Sequence, residues 1–247
     1  MNDTMRALIA RKSVRAFEDR PIPGEVKQAL FAAAFAAPTA GNQMLYTIID
    51  VTDRKLREHL AELCDHQPFI AAAPLALCFL GDTRRWLDTY RAAGLTPRKP
   101  GPGDILLAMA DAVIAAQNVV VAAESFGLGS CYIGDILENC EQVREALCLP
   151  PEVIPAAMLV IGYPTEQQRR REKPARFDGK HIVFENAYRA LPEEEHRAMY
   201  LERDARAGKQ GTDFAASVEA FWKRKYESGF AREMNRSAAE YLKGFDA

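Results

Sequence analysis

DILLAMADAVIAAQNVVVAAES, residues 104–125, holds nearly all of the chain's most apolar stretch, Ile105–Phe126. A run of this length raises the question of a membrane span, because about 20 apolar residues cross a bilayer. Asp111, Gln117, Asn118 and Glu124 interrupt it, and charge is costly in hydrocarbon. The expectation is therefore a long helix that is buried or forms an interface between copies. Gly127 and Gly129 follow it, and a glycine there takes up the left-handed conformation at low cost.

Strand-like runs lie on both sides of this helix. Upstream are Leu45–Val51 (LYTIIDV) and Ala73–Leu80 (APLALCFL), the second apolar enough to be buried on both faces. Downstream are the short Ser130–Ile133 and the strong Ala156–Ile161 (AAMLVI), with Ile182–Glu185 as one more candidate. Helices are expected over Thr4–Ala10 (capped by Asp3 or Thr4), Glu25–Ala36, Arg54–Leu63 (capped by Asp53), Arg84–Ala93 and Asn139–Leu147. Thr96–Gly103 is a proline-rich loop, and Glu166–Lys173 reads as a charged connector. From Glu193 the chain is polar with helical patterning, and Phe221, Trp222, Tyr226, Phe230 and Tyr241 look like aromatic anchors of two amphipathic helices, Ala215–Tyr226 and Phe230–Tyr241. Short strands alternating with helices give an α+β chain: a small sheet around a central helix. So apolar a helix beside so small a sheet favours burial by dimerisation.

The composition narrows the function. The 247 residues are 48% hydrophobic and 27% charged, a globular balance, and the net charge of -2 offers no basic excess for nucleic acid or a membrane surface. Met1–Arg15 lacks the apolar run of a secretory signal. Five cysteines, an odd number without a C-x-x-C pair, argue against a disulfide framework and for a reducing compartment. The four histidines form no metal-binding cluster, so no zinc site is expected.

Four segments hold side chains suited to chemistry. In Arg11-Lys12-Ser13-Val14-Arg15, alternate residues share one face if the segment is extended, so Arg11 and Arg15 would flank the Ser13 hydroxyl. Two forked guanidiniums and a hydroxyl suit a phosphate monoester, although spacing alone fits a solvated basic patch better. Pro38-Thr39-Ala40-Gly41-Asn42-Gln43-Met44 is a loop of mostly small residues that lets backbone approach a flat ligand, or simply a connection. Gly129–Gly134 brackets a short strand with glycines, but without the G-x-G-x-x-G run of a dinucleotide fingerprint. Lys173-Pro174-Ala175-Arg176-Phe177-Asp178 offers further cations, or a basic connector like the Arg169–Arg171 run beside it.

In this order the four segments resemble the nitroreductase family of flavoproteins. Arg-Lys-Ser-Val-Arg-Ala-Phe from Arg11 matches its opening signature, and Ala37–Gln43 its second flavin segment. Cys131-Tyr132-Ile133-Gly134 matches the flavin-facing segment after the central helix, and Arg176–Asp178 with Val183–Tyr188 the late basic segment and tail. The resemblance covers roughly residues 4 to 190. It implies an α+β fold with a mixed, mostly antiparallel small sheet flanked by helices, and a homodimer built on the central helix. Residues 1–190 would form the FMN-binding domain and 191–247 its helical C-terminal extension.

The resemblance also implies site roles. Arg11, Lys12, Ser13 and Arg15 would hold the FMN phosphate end, assisted by Lys173 and Arg176, with Arg176 favoured because Ala175 separates the two. Gln67 would face the flavin's polar edge, and Tyr132, Ile133 and Gly134 would lie along the ring. Thr39 and Asn42 would reach the flavin of the other subunit, and Pro38 is a further cofactor-binding candidate in the same loop. Asp135, where many relatives carry a second glycine, would sit near the flavin mouth or cap the helix from Ile136. Arg203, Arg206 and Lys209 could meet the 2′-phosphate of NADPH.

The implied chemistry is transfer of hydride from NADPH or NADH through flavin N5 to a small-molecule oxidant: a nitroaromatic, a quinone or free flavin. No protein nucleophile or metal is then required. A cytoplasmic enzyme with no membrane or nucleic-acid partner is expected. A flavin-dependent reductive dehalogenase or a flavin-supplying reductase would use the same fold. A non-catalytic dimer binding a phosphate ligand through Arg11 and Arg15 is the alternative of another class.

Overall fold

The computed structural model describes Met1–Phe245; Asp246 and Ala247, the last positions of the expected extension, lie outside the described residues. The chain divides into two compact units, one formed by Met1–Arg171 with the C-terminal stretch from Glu233, the other by Glu172–Arg232.

In the first unit the helices are α1 (Asp3–Ala10), α2 (Gly24–Phe35), α3 (Arg54–Leu63), the single turn α4 (Phe69–Ala72), α5 (Arg84–Ala92), α6 (Pro102–Ser125), α7 (Cys140–Leu147) and α8 (Glu166–Arg170). The strands are β1 (Tyr46–Asp50), β2 (Leu75–Asp82), β3 (Gly129–Ile133) and β4 (Val153–Gly162), in the spatial order β1-β2-β4-β3. All three pairings are antiparallel, and a single parallel bridge joins Ser13 to Ser130 at the edge of β3. The small sheet flanked by helices is what the resemblance implies, but its four strands are antiparallel throughout rather than mixed, the parallel contact being an isolated bridge outside them.

β2 is buried on both faces as its apolar run requires. Leu75, Leu77 and Phe79 face a core made with Ala112, Ala116 and Val119 of α6; Ala76, Cys78 and Leu80 face a second core with Leu60, Ile70 and Met158. The small alanines of α6 bring helix and sheet close: a Cβ on Gly81 would come within 3.1 Å of the Met109 backbone N. α6 is thus the central helix of the domain on one face. Its other face leaves Leu106, Leu107, Val113 and Ile114 exposed.

The helix begins where Gly101 and Asp104 set its N-terminus: the Asp104 carboxylate accepts the Gly101 N–H at 2.8 Å and Arg98 grips it at 2.6 and 2.8 Å. Asn2, rather than Asp3 or Thr4, caps α1, accepting from Met5 N at 3.0 Å. The stretch expected as a charged connector contains α8, which Thr165 caps.

The second unit holds α9 (Glu193–Arg206) and α10 (Phe214–Lys225), and α11 (Gly229–Leu242) begins in its last residues and ends in the first unit. Tyr241 and Phe245 are fully buried with Ile105 and Ile154, and the Arg144 guanidinium lies 4.9 Å from the Tyr241 ring. Arg236 fixes the register with a bidentate bond to Glu141 at 2.8 and 2.9 Å. Of the expected aromatic anchors, Tyr241 serves as one, whereas Phe221, Trp222 and Tyr226 are exposed on a stretch where α10 buries no residue.

Within the second unit, the Tyr200 hydroxyl and Ser217 hydroxyl are 2.9 Å apart, and Tyr200 meets Phe214 edge to face. The Ile182–Glu185 stretch is not a strand. It follows a 3-10 turn at Gly179–His181, and Ile182 and Val183 are exposed with no ladder to join.

Candidate active site

Two glycines create the groove in which the basic N-terminal segment lies. Gly129 and Gly162 are register partners across β3 and β4. A Cβ on Gly129 would meet Val14 at 2.5 Å, and one on Gly162 would meet Phe17 at 2.8 Å. Without them, the 14–17 segment could not reach the sheet. Three backbone bonds hold it there: Val14 N to Ser130 O at 2.9 Å, Glu18 N to Tyr163 O at 2.8 Å and Thr165 N to Ala16 O at 3.2 Å. Val14 is buried by this docking.

The bridge between Ser13 and Ser130 places Arg11, Ser13 and Arg15 beside the start of β3. Arg11 and Arg15 form no ion pair among the described residues; the Arg15 guanidinium lies 6.0 Å from the Phe69 ring. Cys131 registers all three side chains: burial pushes its thiol up, and Arg15, the Ser13 hydroxyl and Arg11 oppose that shift. Ser130 Oγ is buried with no hydrogen-bond partner among the described residues. Unpaired guanidiniums near an orphaned buried hydroxyl fit an oxyanion ligand.

Lys12 is differently engaged. Its ammonium donates to Arg169 O at 2.7 Å and to Arg171 O, at the C-terminal end of α8 where carbonyls lack partners. The Arg169–Arg171 run is correspondingly more than a surface connector. Arg169 pairs with Glu18 at 2.8 Å and Arg171 donates to Ser13 O, so two of its members fix the 13–18 segment. Gln168 also accepts from Arg15 N at 3.3 Å. These contacts join positions more than 150 residues apart, and no local pattern announces them.

Tyr132 and Ile133 follow on β3, and Gly134 begins an exposed bend. The Tyr132 hydroxyl donates to Gln117 Oε1 of α6 at 3.3 Å, and burial pushes it up to about 12. Asp135 opens a 3-10 turn, Asp135–Leu137, without capping it through its side chain. Gln67 follows two left-handed residues, Asp65 and His66, and its amide donates to Cys64 O at 2.8 Å.

The loop carrying Pro38, Thr39 and Asn42 is held by a residue that the sequence marks only as an interruption in α6. Asp111 is buried, and its carboxyl oxygens accept from Thr39 Oγ1, from Ala40 N at 3.0 Å and from Leu45 N at 3.2 Å. Thr39 Oγ1 in turn accepts from Met44 N at 2.8 Å. Gly41 and Asn42 turn the chain with φ of 56° and 57°. Pro38 and Asn42 are exposed.

Lys173 and Arg176 are exposed residues of the second unit. In that unit Arg203, Arg206 and Lys209 are already partnered. Arg203 and Lys209 flank buried Asp204 at 2.7 and 3.9 Å, and Arg206 meets Asp178 at 3.3 Å.

The sequence pattern of the Nitroreductase family matches residues 8–163, from the basic segment through the end of β4, which takes in three of the four segments and stops short of Lys173–Asp178. The chain belongs to the nitroreductase family. Among its relatives in this family, it is 34% identical over 193 residues to the oxygen-insensitive NADPH nitroreductase of Salmonella typhimurium, covering 78% of each chain. It is 31% identical over 190 residues to the FMN reductase (NADPH) of Bacillus subtilis, covering 76% of this chain and 75% of that one. The solved structure of the NADPH:FMN oxidoreductase from Vibrio harveyi complexed with NAD+ matches with a TM-score of 0.76 at 27% identity, over 88% of this chain and 92% of the other. The nitroreductase fold is therefore shared across the sheet, α6 and the docked N-terminal segment.

Proposed function

We propose that this nitroreductase-family chain is an FMN-dependent oxidoreductase that takes electrons from NADPH or NADH and gives them to a small-molecule oxidant, a nitroaromatic, a quinone or free flavin. The observation that carries this is the pair of guanidiniums, Arg11 and Arg15, on either side of Ser13 and without carboxylate partners among the described residues, on a segment pinned to β3. Bound FMN supplies a ring that accepts a hydride and releases it to a second substrate. The residues bind and orient. Arg11, Ser13 and Arg15 neutralise the phosphoryl end. Gln67 presents an amide to the ring's polar edge. The backbone of Tyr132, Ile133 and Gly134 runs beside it.

We place the active unit as a homodimer, with the Pro38–Asn42 loop of one copy completing the site of the other. Its support is the exposed apolar stripe Leu106, Leu107, Val113 and Ile114 on α6, which a soluble chain normally covers. A cytoplasmic location accords with free thiols at Cys64, Cys78, Cys131, Cys140 and Cys148. The test is optical. Purified protein should show an oxidised-flavin band near roughly 450 nm. That band should bleach on addition of NADPH or NADH under argon and return with a quinone or nitroaromatic. A colourless protein that does not take up FMN refutes the assignment.

A further inference from the structure

We propose a second small-molecule site in the first unit, for a ligand that joins an oxyanion group to an apolar body. It is a cavity of about 620 Å³ between the 18–22 segment, α3 and the 68–75 stretch, a size that accommodates one small organic molecule. None of Arg11, Ser13, Arg15 and Tyr132 lines it, so it is separate from the phosphate-binding segment.

Four cationic and three acidic side chains line this cavity, and most of them neutralise one another or a neighbour. Glu18 is held by Arg169 and Glu58 by Arg54, each at 2.8 Å, while Lys27 pairs with Asp50. Two guanidiniums are left, against the exposed carboxyl of Asp19. Arg20 lies 3.8 Å above the ring of Tyr163, which holds its plane, and its guanidinium N–H groups meet no acceptor among the described residues. Arg57 spends one terminal nitrogen on Ala73 O at 2.7 Å, but its Nε is buried without an acceptor. That Nε is closed off from the cavity, so the donor Arg57 offers there is its second terminal nitrogen, which has no hydrogen-bond partner among the described residues. Beside these donors the wall is apolar, formed by Pro21, Ile22, Ala71, Pro74 and Leu75. Forked donors next to a hydrocarbon wall select a carboxylate or phosphate attached to an aromatic or aliphatic body.

The test is calorimetric titration of the purified protein with benzoate and with phenyl phosphate at low ionic strength. One-to-one saturable binding of either probe is expected, at least tenfold weaker in both Arg20→Gln and Arg57→Gln; the tighter probe distinguishes carboxylate from phosphate. Arg20 is exposed, so Arg20→Gln decides the matter even where Arg57→Gln fails to fold. Absence of saturable binding up to about 10 mM of either probe, or undiminished affinity in Arg20→Gln, overturns the proposal. The readout is heat, not turnover, so its failure is distinct from failure of the flavin assignment.

Discussion

Asp111, in the middle of α6, accepts a hydrogen bond from the Thr39 hydroxyl, joining the central helix to the head of the 39–45 loop. The same carboxyl accepts two backbone N–H groups of that loop. Removing it leaves buried or half-buried donors unpaired, which is where the largest single-residue losses arise. Asp111→Ala should lower the free energy of unfolding by about 2–4 kcal/mol, and Asp111→Asn by less, since its amide oxygen can still accept while its NH2 faces donors. Urea denaturation monitored by circular dichroism measures both. The same variants should also bind FMN more weakly, because the loop bears Thr39 and Asn42. A change below about 0.5 kcal/mol for Asp111→Ala would show that the loop does not depend on this anchor.

The approach of Val14 to Gly129 governs how Arg11 and Arg15 are presented. Gly129→Ala would put a methyl group 2.5 Å from Val14 Cγ2 and 2.8 Å from its Cβ, too close without displacement of the 13–15 segment. Overpacking of this kind costs about 1–3 kcal/mol. Since the displaced segment carries both guanidiniums, the FMN dissociation constant should rise about tenfold alongside the loss of stability. Direct removal by Arg15→Ala should weaken FMN at least as much with little effect on the melting temperature, because Arg15 is exposed. Fluorescence titration of the apoprotein with FMN separates the two. Unaltered FMN binding in Arg15→Ala would remove the guanidinium pair from the phosphate site.

Much of this architecture was readable along the chain. The long apolar run of α6, the doubly buried run of β2 and the Asp53 cap of α3 are local patterns, and each element appears where its pattern lies. The order of the four segments at Arg11–Arg15, Pro38–Met44, Gly129–Gly134 and Lys173–Asp178 indicated the family. The long-range roles were not readable. Asp111 looked like a polar break because its partners lie more than 60 residues away. Arg169 and Arg171 looked like solvated charge because their acceptors belong to the N-terminal segment. Ile182–Glu185 has a strand's composition, but strand formation requires a neighbour and none pairs with it.

Glu138 predicts an unusual pH dependence. It is buried, and that desolvation, reinforced by Asp135, Asp65 and Glu233, pushes its carboxyl up to about 7 from the usual carboxylate range. Glu233 is itself held by Arg236 and Ser237, so little of that cation's charge is left for Glu138. A carboxyl with a folded value above its unfolded one binds more protons in the folded state between roughly pH 4.5 and 7. Its contribution to stability is thus fully present below that window and lost as pH rises through it. Glu138→Gln should stabilise the protein by about 2 kcal/mol at pH 8 and have little such effect near pH 5. Thermal unfolding of both proteins across this range gives the comparison. Equal stabilisation at the two ends would mean that the carboxyl ionises normally.

The exposed face of α6 makes the assembly testable. Leu106, Leu107, Val113 and Ile114 recur at helical spacing along one side, and Leu106 alone keeps 69% of its surface accessible in the single chain. A stripe of this kind is covered in a soluble protein, and a second copy offers a matching surface by two-fold symmetry. Two carboxylates placed there would face two more across such an axis, so Leu106→Glu with Ile114→Glu should convert a dimer into single chains. The opposite face of α6, with Ala112, Ala116 and Val119, is untouched by these changes and should keep the domain folded. Light scattering coupled to gel filtration reads the mass, and circular dichroism checks the fold. Loss of FMN should accompany loss of the dimer, because Thr39 and Asn42 would no longer reach a neighbouring site. A variant that stays dimeric with flavin bound would move the interface off this helix.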